Sequence, residues 1–416
     1  MYIFIRSALV VACSTLLAGG AGSAAAEPLT LAIAIEQTLV VNPELRVYAP
    51  RLRAARQREE AAALRPPFEI ETDVQDALGT GRASAFDTAE TTVAFSQVIE
   101  LGDKRGRRID AATASTALVD AERAIAELEV LAEVTRRFIH VAGDQEHLAI
   151  TQRATALADD SVEAATARVA AARAPEVELR RARVTRALAG VEQEHAEHEL
   201  LSSRRQLAAM WGESDATFES VSADLLTLPQ SEGYEALVAR LASNPDFTRF
   251  ATAERLRAAE LRVAEAHARS NVAVRAGVRA LHDTNDEAFV FGVRLPLFAR
   301  SRARSEIAEA RALREQTVAE REAHRVRAEA QLFELFQELR HAITEVEILR
   351  TSVLPEMEAA LEATRVAFDR GRYSYLEWVD AQRELVGVQR QLIDAAVNAH
   401  LYRTEIERLT GEALAE

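Results

Sequence analysis

Two stretches of the chain repeat each other at long range. Set on Leu361–Gly387, Val162–Leu188 places Ala182 on Ala381, Leu179 on Trp378, Val177 on Leu376, Pro175 on Ser374 and Val169 on Phe368, an offset of 199 residues. Upstream, Asn42-Pro43-Glu44-Leu45 falls on Asn244-Pro245-Asp246-Phe247 at an offset of 202. Between these, Phe95–Leu101 (FSQVIEL) falls on Phe291–Leu297 (FGVRLPL) at an offset of 196. Three anchors in one order, at offsets within six residues of each other, imply two tandem copies of about 200 residues, a constraint stronger than any local pattern. The copies are read as 27–211 and 234–411, with 212–233 a loop-rich linker and 412–416 a tail.

Each copy reads as helix, two short strands, then a long helical hairpin. Strands are expected at about 68–78 and 89–100, and again at about 272–282 and 288–298, because apolar and polar residues alternate there with a period of two. Val272, Val274, Ala276, Val278 and Ala280 share one face, as do Phe289, Phe291, Val293, Leu295 and Leu297. Strands of this length, apolar on one side, suit either a tilted bilayer crossing or a small sheet capping soluble helices. From Gly102 to Ala172 no proline interrupts roughly 70 residues, on the order of 100 Å of helix. The second copy runs from Ser301 to Arg370, with Pro355 expected to kink it. Gly371 breaks that run, Ser374 recaps it, and Glu377 and Asp380 then lie three apart on one helix face.

Composition agrees with long helices: only 16 Gly and 10 Pro punctuate 416 residues. A net charge of −15 argues against nucleic acid as a partner. At the N-terminus, Arg6, an apolar run and Ala24-Ala25-Ala26 before Glu27 read as a secretory signal over 1–26, which removes Cys13, the only cysteine. A competing reading makes Val10-Val11-Ala12-Cys13 a lipoprotein box with Cys13 lipidated, although the apolar stretch ahead of it is short for a signal core. Beyond the signal no uncharged run is long enough for a transmembrane helix.

Two hairpins supply four strands, too few to close a membrane barrel, and an open edge in hydrocarbon leaves backbone groups unpaired. Strands that enter a membrane must therefore be completed by other chains, with the helices hanging below as a tube.

On these features, and on Gly371-Arg-Tyr-Ser-Tyr-Leu-Glu-Trp-Val-Asp-Ala381, the chain resembles the TolC-like outer-membrane efflux proteins over essentially its whole mature length. Val169-Ala-Ala-Ala-Arg-Ala-Pro-Glu-Val-Glu-Leu179 is most similar to the heavy-metal branch typified by CzcC. The resemblance implies a mainly α protein with membrane β-strands, a homotrimer whose 12-stranded barrel sits in outer-membrane lipid and continues into a periplasmic α-helical barrel. It implies a passive duct, without cofactor, that works with a periplasmic adaptor and an inner-membrane resistance-nodulation-division (RND) pump. It places Glu377 and Asp380 at the periplasmic constriction, and Arg173, Ala174, Pro175, Gly371, Arg372, Tyr373 and Ser374 at adaptor-docking tips. The first copy departs from the family pattern, with Ala172 in place of the turn glycine, which leaves the shape of that tip open.

Divalent metal is the expected cargo, with drugs or a secreted polypeptide as the alternative on the same fold and a pore-less periplasmic scaffold as a remote third. His195 and His198, i and i+3 beside Glu194 and Glu199, are too isolated to encode a metal relay, and His282-Asp283 reads as a loop. No nucleophile elbow or phosphate loop is present, so an enzyme is not expected.

Overall fold

The computed structural model describes residues 27–411 apart from Ser231 and Ser243; the signal expected over 1–26, with Cys13, and the tail 412–416 lie outside the described residues. The first copy opens with α1 (Leu31–Val41), α2 (Pro43–Arg46) and α3 (Tyr48–Ala62). Its hairpin, α4 (Lys104–Ala170) and α5 (Glu176–Ala208), precedes α6 (Tyr234–Leu241) and α7 (Pro245–His267) of the second copy. The second hairpin comprises α8 (Ala299–Ile348), α9 (Leu354–Asp369) and α10 (Tyr375–Thr410).

The Asn-Pro pairs close each copy on itself. Asn42 caps α2, its side-chain oxygen accepting from the N–H groups of Glu44 and Leu45, while its amide donates to the Met210 carbonyl at 2.8 Å. Asn244 caps α7 through the Asp246 N–H and donates to the carbonyls of Arg408 and Leu409, at 2.7 and 2.8 Å. Both asparagines are buried. The residue that starts one helix thus ties down the carbonyl end of the return helix of the same copy. Proline follows each because the first helical N–H needs no partner.

Four strands, β1 (Phe68–Gln75), β2 (Glu90–Ile99), β3 (Val272–Leu281) and β4 (Asp286–Arg294), form one antiparallel sheet in sequence order. The central β2–β3 pairing joins the two copies, with backbones so close at Gly277 that an added Cβ would stand 2.4 Å from the Val93 carbonyl oxygen. Two strands end earlier than the alternation suggests. β1 stops at Gln75 because Asp76 and Leu78 take positive φ, and β4 stops at Arg294, ahead of Pro296, which has no N–H to donate. β4 also starts at Asp286, two residues early, because the turn before it is tighter than expected.

Register aligns the apolar residues across all four strands. Ile70 faces Phe95, Phe95 faces Ala276, and Ala276 faces Phe291. The resulting band is exposed, with Phe289, Phe291 and Val293 each about three-quarters accessible. On the opposite face Arg279 pairs with Glu90 at 2.5 Å and Arg275 with Glu71 at 3.4 Å. Among the described residues the outer strands β1 and β4 each keep one edge unpaired.

The long helices differ between copies. α4 runs 67 residues without a break. Its counterpart is interrupted by a π-helical turn at Leu349–Val353, immediately before Pro355 in the first turn of α9. Proline lacks the N–H and crowds the carbonyl one turn back, so the ladder widens there. Among the described residues no helix is long and apolar enough to cross a membrane. The linker is packed rather than loose: Phe218, Val221 and Leu225 join Met210, Trp211, Val134 and Leu392 in the largest core cluster, and Leu29 bridges to Val221.

Replacing Asn244 by Asp should be more damaging than the cap chemistry suggests. The carboxylate would keep the cap but face two carbonyl oxygens. Asn244→Ala is expected to cost about 1–3 kcal/mol, from a lost cap and two orphaned carbonyls, and Asn244→Asp at least as much. Thermal unfolding followed by circular dichroism checks both.

Candidate functional site at the hairpin tips

Both hairpins turn by the same hydrogen-bond pattern. In the first, the Arg173 N–H reaches the Arg168 carbonyl at 2.8 Å and the Ala172 N–H the Val169 carbonyl at 3.0 Å. In the second, the Arg372 N–H reaches Ala367 and the Gly371 N–H reaches Phe368, both at 2.9 Å. Each is a Schellman closure with a left-handed residue at its corner, φ 53° at Ala172 and 73° at Gly371. Ala172 therefore leaves the first tip with the same shape as the second, at the cost of a left-handed alanine.

Beneath the turns the two hairpins share one apolar cluster: Ala165, Leu179 and Ala182 from the first, and Phe368, Tyr375, Trp378 and Val379 from the second. Phe368 and Trp378 stack with ring centres 4.7 Å apart. Arg168 crosses between hairpins, its guanidinium 4.4 Å from the Phe368 ring centre and 3.3 Å from the Glu178 carboxylate. Deeper in, Ser161 and Gln382 meet at 3.2 Å. Burial pushes the Tyr375 hydroxyl pKa up.

This cluster sets which face of α10 remains open. Tyr375, Trp378, Val379 and Gln382 are buried, so Glu377, Asp380 and Arg383 point away from the hairpin core. Glu377 belongs to a capping box: the Ser374 N–H donates to its carboxylate at 2.6 Å and the Ser374 hydroxyl at 2.9 Å. These bonds, the backbone one foremost, hold the Glu377 carboxyl below its usual range. Asp380 is exposed and pairs with Arg383 at 3.2 Å. Arg173, Pro175, Gly371, Arg372, Tyr373 and Ser374 are all exposed, and Ala174 is half-buried.

Sequence reasoning reached the turns and the carboxylates but missed Arg168 and Glu178. The repeat had aligned Val169 with Phe368 and Leu179 with Trp378. That alignment marks the aromatic positions, but no pattern within one helix reveals a cation reaching across to them. His140, His195, His198, Asp144 and Glu199 line one open groove, where His195 pairs with Glu199 at 3.2 Å. Among the described residues no group of three such side chains is placed to hold a metal ion.

Residues 34–213 and 237–412 match the outer membrane efflux protein family. The cobalt-zinc-cadmium resistance protein CzcC of Cupriavidus metallidurans is 28% identical over 387 residues, 93% of this chain and 91% of that protein. The nickel-cobalt-cadmium resistance protein NccC of Alcaligenes xylosoxydans xylosoxydans is 25% identical over 305 residues, 72% of this chain and 68% of that protein. Among solved structures, the outer-membrane channel OprN superposes with a TM-score of 0.77 at 18% identity, over 93% of this chain and 91% of that one.

The tip geometry gives two expectations for hydrogen exchange. Ala172→Gly should tighten the first turn and Gly371→Ala loosen the second, each by about 1 kcal/mol of local opening free energy. Because the folded Glu377 pKa lies below its unfolded value, its capping contribution is present above the unfolded pKa and is lost as pH falls through the folded one. Corrected for intrinsic rates, protection of the first turn of α10 should hold from neutral pH to the ordinary carboxylate range and fall only below it. In Glu377→Gln this pH dependence should vanish.

Proposed function

The chain belongs to the outer membrane efflux protein family, and from that premise we propose that it is the exit duct of a tripartite RND-type efflux system for divalent heavy-metal cations. It is an outer-membrane channel protein extending into the periplasm, and its family's members are channels rather than enzymes. In the proposal three copies contribute four strands each to a 12-stranded barrel, and their helical hairpins form the periplasmic tunnel.

The observation that carries this reading is the open sheet with its continuous apolar face. In hydrocarbon, unpaired N–H and C=O groups along β1 and β4 cost several kcal/mol each, so the edges require further strands. The helices are incomplete in the same way. Val177, Val184, Leu188 and Val191 form an exposed heptad-like stripe on α5, and Val318, Val326 and Phe333 another on α8. Neighbouring copies would cover both.

Metal cargo is supported by the similarity to two metal-resistance proteins. In a threefold assembly Glu377 and Asp380 of the three copies would ring the periplasmic opening, concentrating cations and repelling anions. The hairpin tips at Arg173, Ala174 and Pro175, and at Gly371, Arg372, Tyr373 and Ser374, are the proposed docking points for the adaptor, which couples the duct to the inner-membrane pump. Transport through the duct is passive.

Planar-bilayer conductance tests the proposal. Wild type is expected to give small, cation-selective conductance, and Glu377→Gln with Asp380→Asn to raise conductance and lower selectivity severalfold. Ser374→Ala, which loosens the same cap but keeps the charge, separates the two roles of Glu377. A conducting protein indifferent to the double substitution contradicts the constriction assignment, and absence of conductance contradicts the duct.

A further inference from the structure

We propose that the helix-side rim of the sheet is a collar for anionic phospholipid headgroups of the membrane leaflet facing the periplasm. The proposal rests on the reading that the sheet stands in a membrane.

The rim is where the strands meet the helices. Arg65, Arg105, Arg269, Arg300, Arg302 and Arg304 lie there, all exposed. Local contacts draw their segments together. Arg105 donates to the Ala63 carbonyl at 2.6 Å and Ser270 to the Pro296 carbonyl at 2.7 Å, while the Arg269 side chain lies against Gly102. Four carboxylates near this level already have partners, Glu100 with Arg108, Asp103 with Arg107, Glu265 with Arg311 and Glu306 with His267, whereas Glu60, Glu69 and Glu309 carry no salt bridge among the described residues and offset part of the arginine charge. None of the six arginines has a salt bridge among the described residues, and neither α4 nor α8 has an acid in its first turn. A strongly acidic chain therefore concentrates a net excess of arginine at one height.

That height is where the apolar band ends. Leu295 and Leu297 continue the face of Phe291 and Val293 past the last paired strand residue, and Leu64, Leu101 and Phe298 are exposed beside them. A side chain at this level meets the boundary between acyl chains and headgroups. Arginine binds phosphate through its planar fork, and each cation held near an anionic membrane surface strengthens the attraction. The opposite end of the sheet is acidic, with Asp76, Asp87, Asp283, Asp286 and Glu287 beside His282 among the residues whose side chains are described. The sheet is thus electrically polarised along its strands, basic on the tunnel side, which favours one orientation in a membrane whose periplasmic leaflet carries anionic phospholipid.

The test purifies the full-length protein in mild detergent with equal amounts of phosphatidylglycerol and phosphatidylcholine, and quantifies retained lipid by mass spectrometry after washes at low and high salt. Wild type is expected to retain phosphatidylglycerol preferentially, with the preference falling at high salt. Arg300→Gln/Arg302→Gln/Arg304→Gln should lower it about fivefold or more, while Arg173→Gln/Arg370→Gln/Arg372→Gln at the far tips should leave it unchanged. Equal retention of the two lipids, a salt-insensitive preference, or a rim variant that keeps the preference would overturn the collar. So would a rim variant that dissociates the assembly at unchanged lipid preference, because the arginines would then face a neighbouring copy. Retention of neither lipid by protein that fractionates with the outer membrane would overturn the collar alone, whereas recovery of the protein from the soluble fraction would overturn the membrane reading and the collar with it.

Discussion

The unpaired edges of β1 and β4 set the terms for the rest of the molecule. A single chain presents a four-stranded sheet whose apolar face is uncovered and whose two outer edges are unpaired among the described residues. Water tolerates such edges, whereas a bilayer does not. Putting the apolar face into lipid satisfies that face, but it makes closure of the edges obligatory. Closure by identical copies then fixes how the helices hang below, because each strand runs into a helix within a few residues. The exposed apolar stripes on α5 and α8 are the helical counterpart of the open edges.

Holding four strands in one register requires the two copies to be bound together beneath them. The long helices alone do not achieve this, since a helix of 67 residues has many equivalent ways to slide along a neighbour. The buried asparagines remove that freedom. Asn42 and Asn244 each cap the start of a helix and hold the end of a return helix, so strand position becomes tied to hairpin position. The packed linker adds a second tie at mid-height, and Arg168 with the Phe368–Trp378 stack a third at the tips.

Much of this was legible because the chain says it twice. The Asn-Pro pairs, the strand pairs and the hairpin turns recur at nearly constant offsets, and the long proline-free runs admit only helix. What escaped were the interactions between elements distant in sequence. Nothing near Asn42 indicates that its amide meets Met210, and nothing near Arg168 indicates Phe368. At Ala172 the sequence left the shape of the first tip open, and the Schellman bonds settle it by imposing a left-handed turn on a residue that disfavours it. The role of Glu377 was half visible: the sequence marked Ser374 as a cap and Glu377 as a tip carboxylate, and only the geometry joins them in a capping box that already engages the carboxylate.

The central claim is that the sheet closes through neighbouring copies, and disulfide cross-linking between its outer strands tests it most directly. Within one chain β1 and β4 are three strand spacings apart, about 14 Å, beyond the reach of a disulfide. Thr72→Cys on β1 would be combined in turn with a cysteine at each position from Ala288 to Gly292 on β4, and the protein oxidised in membranes. The account predicts a covalent ring of three chains on a denaturing gel at one register and its immediate neighbours. Chains that remain monomeric at every register would contradict it.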